Sequence, residues 1–285
     1  MKGNILKMKT SFLSAQTTGN IDSNVEYQLP VGDKLLAMNE NIGKTIKLSY
    51  DSKINCIACG RETKKSFGQG HCFPCFRSLA SCDMCILKPE TCHYAEGSCR
   101  QPEWGEANCF IPHYVYLANS SGIKVGITRG TQVPTRWIDQ GAAQALPIFQ
   151  VANRLQSGLV EVVLKQHVSD RTDWRKMLKA DAEPQDLKAI RDELLEKCAD
   201  QIVRLQSEQG QSDQGEAEIQ TVDEQVVEIS YPVSAYPEKI KSLNFDKQAQ
   251  IEGSLMGIKG QYLILDSGVL NIRKFSGYNI DVEFV

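Results

Sequence analysis

Residues 114–128 read Tyr-Val-Tyr-Leu-Ala-Asn-Ser-Ser-Gly-Ile-Lys-Val-Gly-Ile-Thr. The β-branched and aromatic residues favour two short strands, Tyr114 to Ala118 and Lys124 to Thr128. Between them Asn119-Ser120-Ser121-Gly122 is a turn-forming string, so the strands are expected to close as an antiparallel hairpin. Downstream, Pro134 sits where a first helical turn begins, with Thr135-Arg136-Trp137-Ile138 after it. Leu146 to Val151 suits a third strand, and Leu159, Val162, Val163 and Gln166 share one face of a second helix. This succession over residues 114–179 predicts a small α/β unit.

The order of elements resembles the GIY-YIG nuclease domain, and specific residues carry the likeness. Tyr114-Val115-Tyr116 stands where that family has its first tripeptide, and Lys124-Val125-Gly126 where it has the second. Arg136 follows on the first helix and Glu161 on the second. The resemblance implies hydrolysis of DNA or RNA phosphodiesters with Mg²⁺ or Mn²⁺. Glu161 would hold the ion as a hard oxygen ligand. Arg136 would pair with phosphoryl oxygens as charge builds. Tyr116 would accept or relay a proton once nearby cations lower its pKa. Lys124, in place of the second tripeptide's tyrosine, is one such cation, and Gly126 lines the same cleft. His167, which follows Glu161 on the same helical pattern, is a candidate proton shuttle.

Each of these residues also has an ordinary explanation. Tyr116 could pack in a core, Glu161 could pair with Lys165 on a helix surface, Arg136 could stack on Trp137, and His167 could be plain surface. Tyr114 replaces the glycine that usually opens the first tripeptide. A non-catalytic nucleic-acid-binding or adaptor protein on the same fold therefore stands beside the nuclease.

Upstream, eight of the ten cysteines fall within residues 56–99, and Cys109 follows as a ninth. Cys56-x2-Cys59 and Cys72-x2-Cys75 have the spacing of two facing knuckles around one tetrahedral Zn²⁺. A disulfide framework is the alternative. Met1 to Ser11 carries Lys2, Lys7 and Lys9 with no apolar core to follow, so a cytoplasmic, reducing setting and free thiols are expected. Cys82-x2-Cys85 opens a second knuckle that Cys92, Cys99, Cys109, His93 or His113 could close. The second metal is zinc or an iron–sulfur cluster, its ligands unassigned. Cys198, at a helical core position, is expected to be buried packing. The cysteine-rich and Tyr-Val-Tyr segments together also resemble an uncharacterised bacterial family known only as a domain of unknown function.

At 285 residues the chain is long enough for about two domains, and its formal charge of −3 hides a segregation. Residues 180–228 hold 14 acidic against 4 basic residues, whereas residues 120–179 hold 9 basic against 4 acidic. The basic stretch suits a nucleic-acid partner. No run approaches the ~20 apolar residues of a membrane span. Both ends alternate as β structure, so residues 1–54 and 226–285 are expected to share one barrel or sandwich, with the zinc-binding region 55–113 and the 114–179 unit inserted between. Leu187, Ile190, Leu194, Cys198, Ile202 and Leu205 fall at helical spacing, an acidic amphipathic helix over 180–206 whose outer face could dock a protein partner. Residues 207–225 are expected to form a linker. The fold class expected is α+β: a terminal β module, a zinc-knuckle region and a GIY-YIG-like α/β domain.

Overall fold

The computed structural model describes residues 1–17, 23–209 and 219–285, and the protein is α+β. In chain order, β1 (Lys2–Asn4), β2 (Lys9–Thr17), β3 (Ser23–Val31), β4 (Lys34–Ala37) and β5 (Thr45–Ile54) come first. The cysteine-rich lobe follows with two short helices, α1 (Phe73–Ser78) and α2 (Pro102–Cys109). Next are β6 (His113–Asn119), β7 (Ile123–Arg129), α3 (Thr135–Asp139), β8 (Gln144–Val151), α4 (Arg154–Leu164), α5 (Trp174–Met177) and α6 (Leu187–Gln209). Six strands end the order: β9 (Gln220–Thr221), β10 (Val227–Glu228), β11 (Gln250–Lys259), β12 (Tyr262–Leu265), β13 (Gly268–Asn271) and β14 (Tyr278–Phe284).

A six-stranded sheet, β1-β14-β5-β11-β12-β13, draws strands from both ends of the chain. Gly3 lies opposite Ile280, and Leu48 lies opposite both Val282 and Ile251. Alternation along these strands turns Ile46, Leu48, Ile251, Ile280 and Val282 into one core, which the sheet β2-β3-β4 joins through Val25, Tyr27 and Leu29.

The third sheet runs β10-β8-β6-β7, with β9 beside β8. Successive side chains of a strand point to opposite faces, so β6 serves two cores at once. Tyr116 and Ala118 pack with Trp137 and Ile138 of α3 and with the terminal strands, whereas Val115 and Leu117 pack with α4 and α6. Fully burying such apolar side chains contributes about 1.5–3 kcal/mol each. The hairpin therefore joins the two cores.

Several boundaries differ from the sequence expectation for identifiable reasons. The third strand begins at Gln144, because Asn119 and Gln144 pair across the sheet and share a side-chain hydrogen bond of 3.1 Å. The large apolar residues buried on α4 are Val160, Val163 and Leu164, while Leu159 and Val162 are half-buried and Gln166, beyond the helix end, is exposed. The face has rotated because α4 is covered from two sides. The acidic helix starts at Leu187, after Asp186 accepts the Ala189 N–H at 3.0 Å as a cap. It runs to Gln209, past the expected limit. Of the proposed linker, residues 207–209 are helical, Ile219 is buried in the α4–α6 core, and β9 pairs with Phe149 and Gln150. Residues 210–218 of that linker lie outside the described residues.

The second cover on α4 is the cysteine-rich lobe. A Cβ on Gly158 would lie 2.6 Å from Pro89 Cβ and 2.7 Å from the Glu90 nitrogen, so only glycine lets the helix and the turn meet. Gly158→Ala is expected to destabilise the protein by about 1–3 kcal/mol through overpacking. Thermal unfolding checks the magnitude, and limited proteolysis should show cleavage first within residues 84–110. An unchanged melting temperature would contradict this docking.

Candidate metal centre and active-site cleft

The first four cysteines come together as their spacing predicts. Ile57 N–H bonds Gly70 O at 2.9 Å, tying the two knuckles, and Gly60 and Gly70 take the positive φ values of 73° and 127° that the tight turns require. Cys56, Cys59, Cys72 and Cys75 place their sulfurs within 4.8 Å of one another. A Zn–S bond of about 2.3 Å implies a tetrahedral edge of roughly 3.8 Å, and the Cys59 and Cys72 sulfurs are 3.8 Å apart. Burial opposes ionisation of Cys56, but backbone N–H groups of Cys72, Cys59 and Ala58 together pull its thiol down to about 6. Hydrogen bonds to Cys59 and Cys72 push Cys75 up to about 12. One thiolate thus forms readily and the last proton is held hard, so a divalent cation is needed for all four to ionise.

Cys82 is half-buried, and its nearest charged neighbours are Arg100 and Cys56, on the side of the first centre. Cys85, Cys92, Cys99 and Cys109 lie on four separate segments of the lobe, and all ten cysteines are free thiols. Asp83, Cys85 and His93 also converge within 4.8 Å, but Asp83 already pairs with Arg100 at 2.8 Å and His93 at 3.3 Å. His113 is fully buried on β6, with Nδ1 on Ile111 O at 2.7 Å. Cys198 packs in the α4–α6 core.

The β6–β7 hairpin places Tyr116 opposite Gly126. A Cβ at position 126 would sit 2.7 Å from the Tyr116 Cζ and Oη, so the ring lies across the glycine. Tyr116 donates its hydroxyl to Gln140 Oε1 at 3.1 Å, and Lys124, 3% exposed, donates its ammonium to the same oxygen. Trp137 packs edge-on against Tyr116 with centroids 5.9 Å apart, and the neighbouring Arg136 is half-buried and acts electrostatically on Tyr116. Glu161 of α4, also half-buried, lies in the electrostatic field of Lys165, Asp170, Glu90 and Arg136. Asp170 arrives because Val125 N–H bonds Ser169 O at 2.8 Å, laying that segment along the edge of β7.

Burial pushes the Glu161 carboxyl up to about 7, reinforced by Asp170 and Glu90. Burial, helped by Arg136, brings the Lys124 ammonium down to about 8. Tyr116 goes the other way from expectation: burial raises its pKa, outweighing the Arg136 cation that lowers it. The phenol stays protonated and is a hydrogen-bond donor, not a proton acceptor. Lys165 pairs with Glu90 at 3.8 Å, so Glu161 is not simply its helix-surface partner. His167 is exposed and lines a surface pocket with Ile123, Glu193, Leu194 and Lys197 on the α6 side of the sheet. Gln140, Asp170 and Glu90 carry no motif, and only the fold brings them in.

The Lys124 shift has a stability consequence. Since the amine titrates near 8 in the fold and at 10.5 unperturbed, the folded chain binds fewer protons between those values, and its stability rises with pH across that window. Lys124→Met is expected to raise stability at neutral pH by about 1–3 kcal/mol. The gain should shrink as pH rises through the window. Melting temperatures of the two proteins across that pH range check this, and a gain that grows with pH would contradict it.

An α+β fold carrying a four-cysteine cluster that could hold a metal ion is the class that these elements define, and among the described residues no helix is long and apolar enough to cross a membrane. The chain belongs to the family described as "Protein of unknown function (DUF2797)", whose match spans residues 43–280. No curated protein and no solved structure matches it.

Proposed function

We propose that the protein binds nucleic acid over the Tyr116–Arg136–Glu161 cleft and hydrolyses its phosphodiester bonds with a divalent ion held at Glu161, as the likeness to GIY-YIG nucleases implies. One observation carries this: Lys124, Arg136 and Glu161, from three separate elements, share one electrostatic neighbourhood in which the amine is lowered to about 8 and the carboxyl raised to about 7. Opposed perturbations of this size mark functional sites more often than structural ones.

A divalent cation suits the donors. Glu161 offers a hard oxygen of the type Mg²⁺ and Mn²⁺ take, and Asp170 and Glu90 contribute by repulsion to its raised pKa, which a cation would relieve. When bound, the ion neutralises charge developing on the phosphate and the leaving oxygen. Arg136, half-buried at the mouth, pairs with a phosphoryl oxygen and gains most as charge builds. Lys124 exchanges a proton near neutral pH, the part expected of Tyr116. Tyr116 and Lys124, both buried, together hold Gln140 and so fix the groups beneath Arg136 and Glu161 in one arrangement.

The local excess of basic residues over 120–179 supports a polyanionic substrate. The free thiols support a cytoplasmic setting. The test is a panel of single- and double-stranded DNA and RNA. Binding should weaken steeply with salt, and products should form only with Mg²⁺ or Mn²⁺. Salt-dependent binding with no product under any ion would leave the non-catalytic adaptor in its place.

A further inference from the structure

We propose that Cys85, Cys92, Cys99 and Cys109 ligate a second centre, an iron–sulfur cluster, in the lobe between α1 and β6. This stands apart from the nuclease proposal, since it concerns the lobe and not the cleft. The four thiols come from the 3-10 turn Met84–Ile86, the end of the turn Pro89–Thr91, the loop before α2, and the last residue of α2. Chain segments that otherwise share no regular structure thus each present one half-buried sulfur. Cys85 lies in the field of Cys92, Cys99 and Cys109, and Cys109 in that of Cys92 and Cys99, so the four are within electrostatic reach of one another. Cys82, whose charged neighbours are Arg100 and Cys56 and none of these four, is not a member.

The packing around this volume calls for an anion. Arg154 reaches in from α4, donating Nη2 to Ile86 O at 2.6 Å, and its Nε is buried with no hydrogen-bond partner. Its charged neighbours include both Cys109 and Cys85. Arg129 donates to Asn108 Oδ1, next to Cys109. Two guanidinium groups near neutral thiols would be left poorly compensated, and a desolvated cation without a counter-charge is costly. Four thiolates around a cluster supply that charge and accept the orphaned N–H. Gly105 keeps the α2 backbone close, since a Cβ there would lie 3.5 Å from the Cys99 sulfur.

The four sulfurs are more widely spaced than those of the first quartet. Among the described residues, the first quartet closes to within 4.8 Å, whereas no three of Cys85, Cys92, Cys99 and Cys109 do so. Four thiolates on one zinc must approach to about 3.8 Å. Thiolates on a cluster bind separate iron atoms and stand farther apart. The lobe docks on Gly158 of α4, three residues before Glu161, so the cluster would set the position of Glu90 beside that carboxyl.

The experiment is anaerobic purification of the full chain from iron-supplemented cells, with iron, acid-labile sulfide and zinc counted per chain. A [4Fe–4S] centre gives about four iron and four sulfide, with about one zinc in the first quartet, and a brown colour. Cys99→Ser should lose iron and sulfide while keeping zinc, which also shows that the rest of the protein is folded. Cys82→Ser should keep all three. Colourless anaerobic protein with two zinc ions would overturn the cluster. Iron lost from Cys82→Ser but kept in Cys99→Ser would overturn the ligand set. The wild-type metal count decides the question even if Cys99→Ser does not fold.

Discussion

Stripping zinc from the Cys56–Cys59–Cys72–Cys75 centre, or replacing Cys72 by Ser, is expected to unfold residues 55–79 outright. Among the described residues, the apolar cores include Ile54 but nothing from 55 to 79. The segment's own packing is one cluster of Phe67, Phe73 and Phe76 rings, 5.3 and 5.9 Å apart, with Phe73 51% exposed. Structural zinc binding is worth about 10–16 kcal/mol in small thiolate domains, far more than such a cluster supplies. Hydrogen exchange should lose protection across the knuckles on chelation while β6, β7 and β8, whose cores are independent of the metal, keep theirs. Protection unchanged after the zinc has been removed would contradict a structural role for the quartet.

Arg136→Ala is expected to lower the rate of phosphodiester cleavage on the order of 10²–10³-fold, with a smaller loss of nucleic-acid affinity. The difference arises because the guanidinium meets a phosphate already charged in the ground state but more charged in the transition state. Arg136→Lys should restore part of the binding and little of the rate, since an ammonium lacks the planar fork that pairs two oxygens. Cleavage rates and salt-dependent binding isotherms for the three proteins separate the effects. Equal losses in rate and affinity would make Arg136 a docking residue only.

What could be read from the sequence was local chemistry. Asn119-Ser120-Ser121-Gly122 specifies a turn, and the hairpin closes about it with Tyr116 opposite Gly126. The Cys-x2-Cys pairs specify their convergence because two knuckles of that spacing have one compact way to face each other. The helical spacing of Leu187, Leu194, Cys198 and Ile202 became the buried side of α6. What escaped depends on contacts between distant segments. The buried face of α4 is set by Pro89 meeting Gly158, which no periodicity within the helix reveals. The direction of the Tyr116 shift depends on how completely Trp137 and the surrounding core exclude water, and desolvation there exceeds the pull of one guanidinium. Gln140 receives both Tyr116 and Lys124 at the end of α3, a position that looks like any helix terminus in the sequence.

The most direct test of the proposed chemistry is the Mn²⁺ dependence of nucleic-acid cleavage by the wild-type protein and by Glu161→Gln, at equal zinc content and on the substrate each binds. Glutamine keeps the shape of the side chain and removes the charge that holds the ion. The wild type should cleave with a rate that saturates in Mn²⁺, and Glu161→Gln should fall by at least about 10²-fold while binding nucleic acid as well or better. Cleavage of equal rate and equal Mn²⁺ dependence in the two proteins would contradict the assignment of Glu161 and, with it, the cleft as a hydrolytic site.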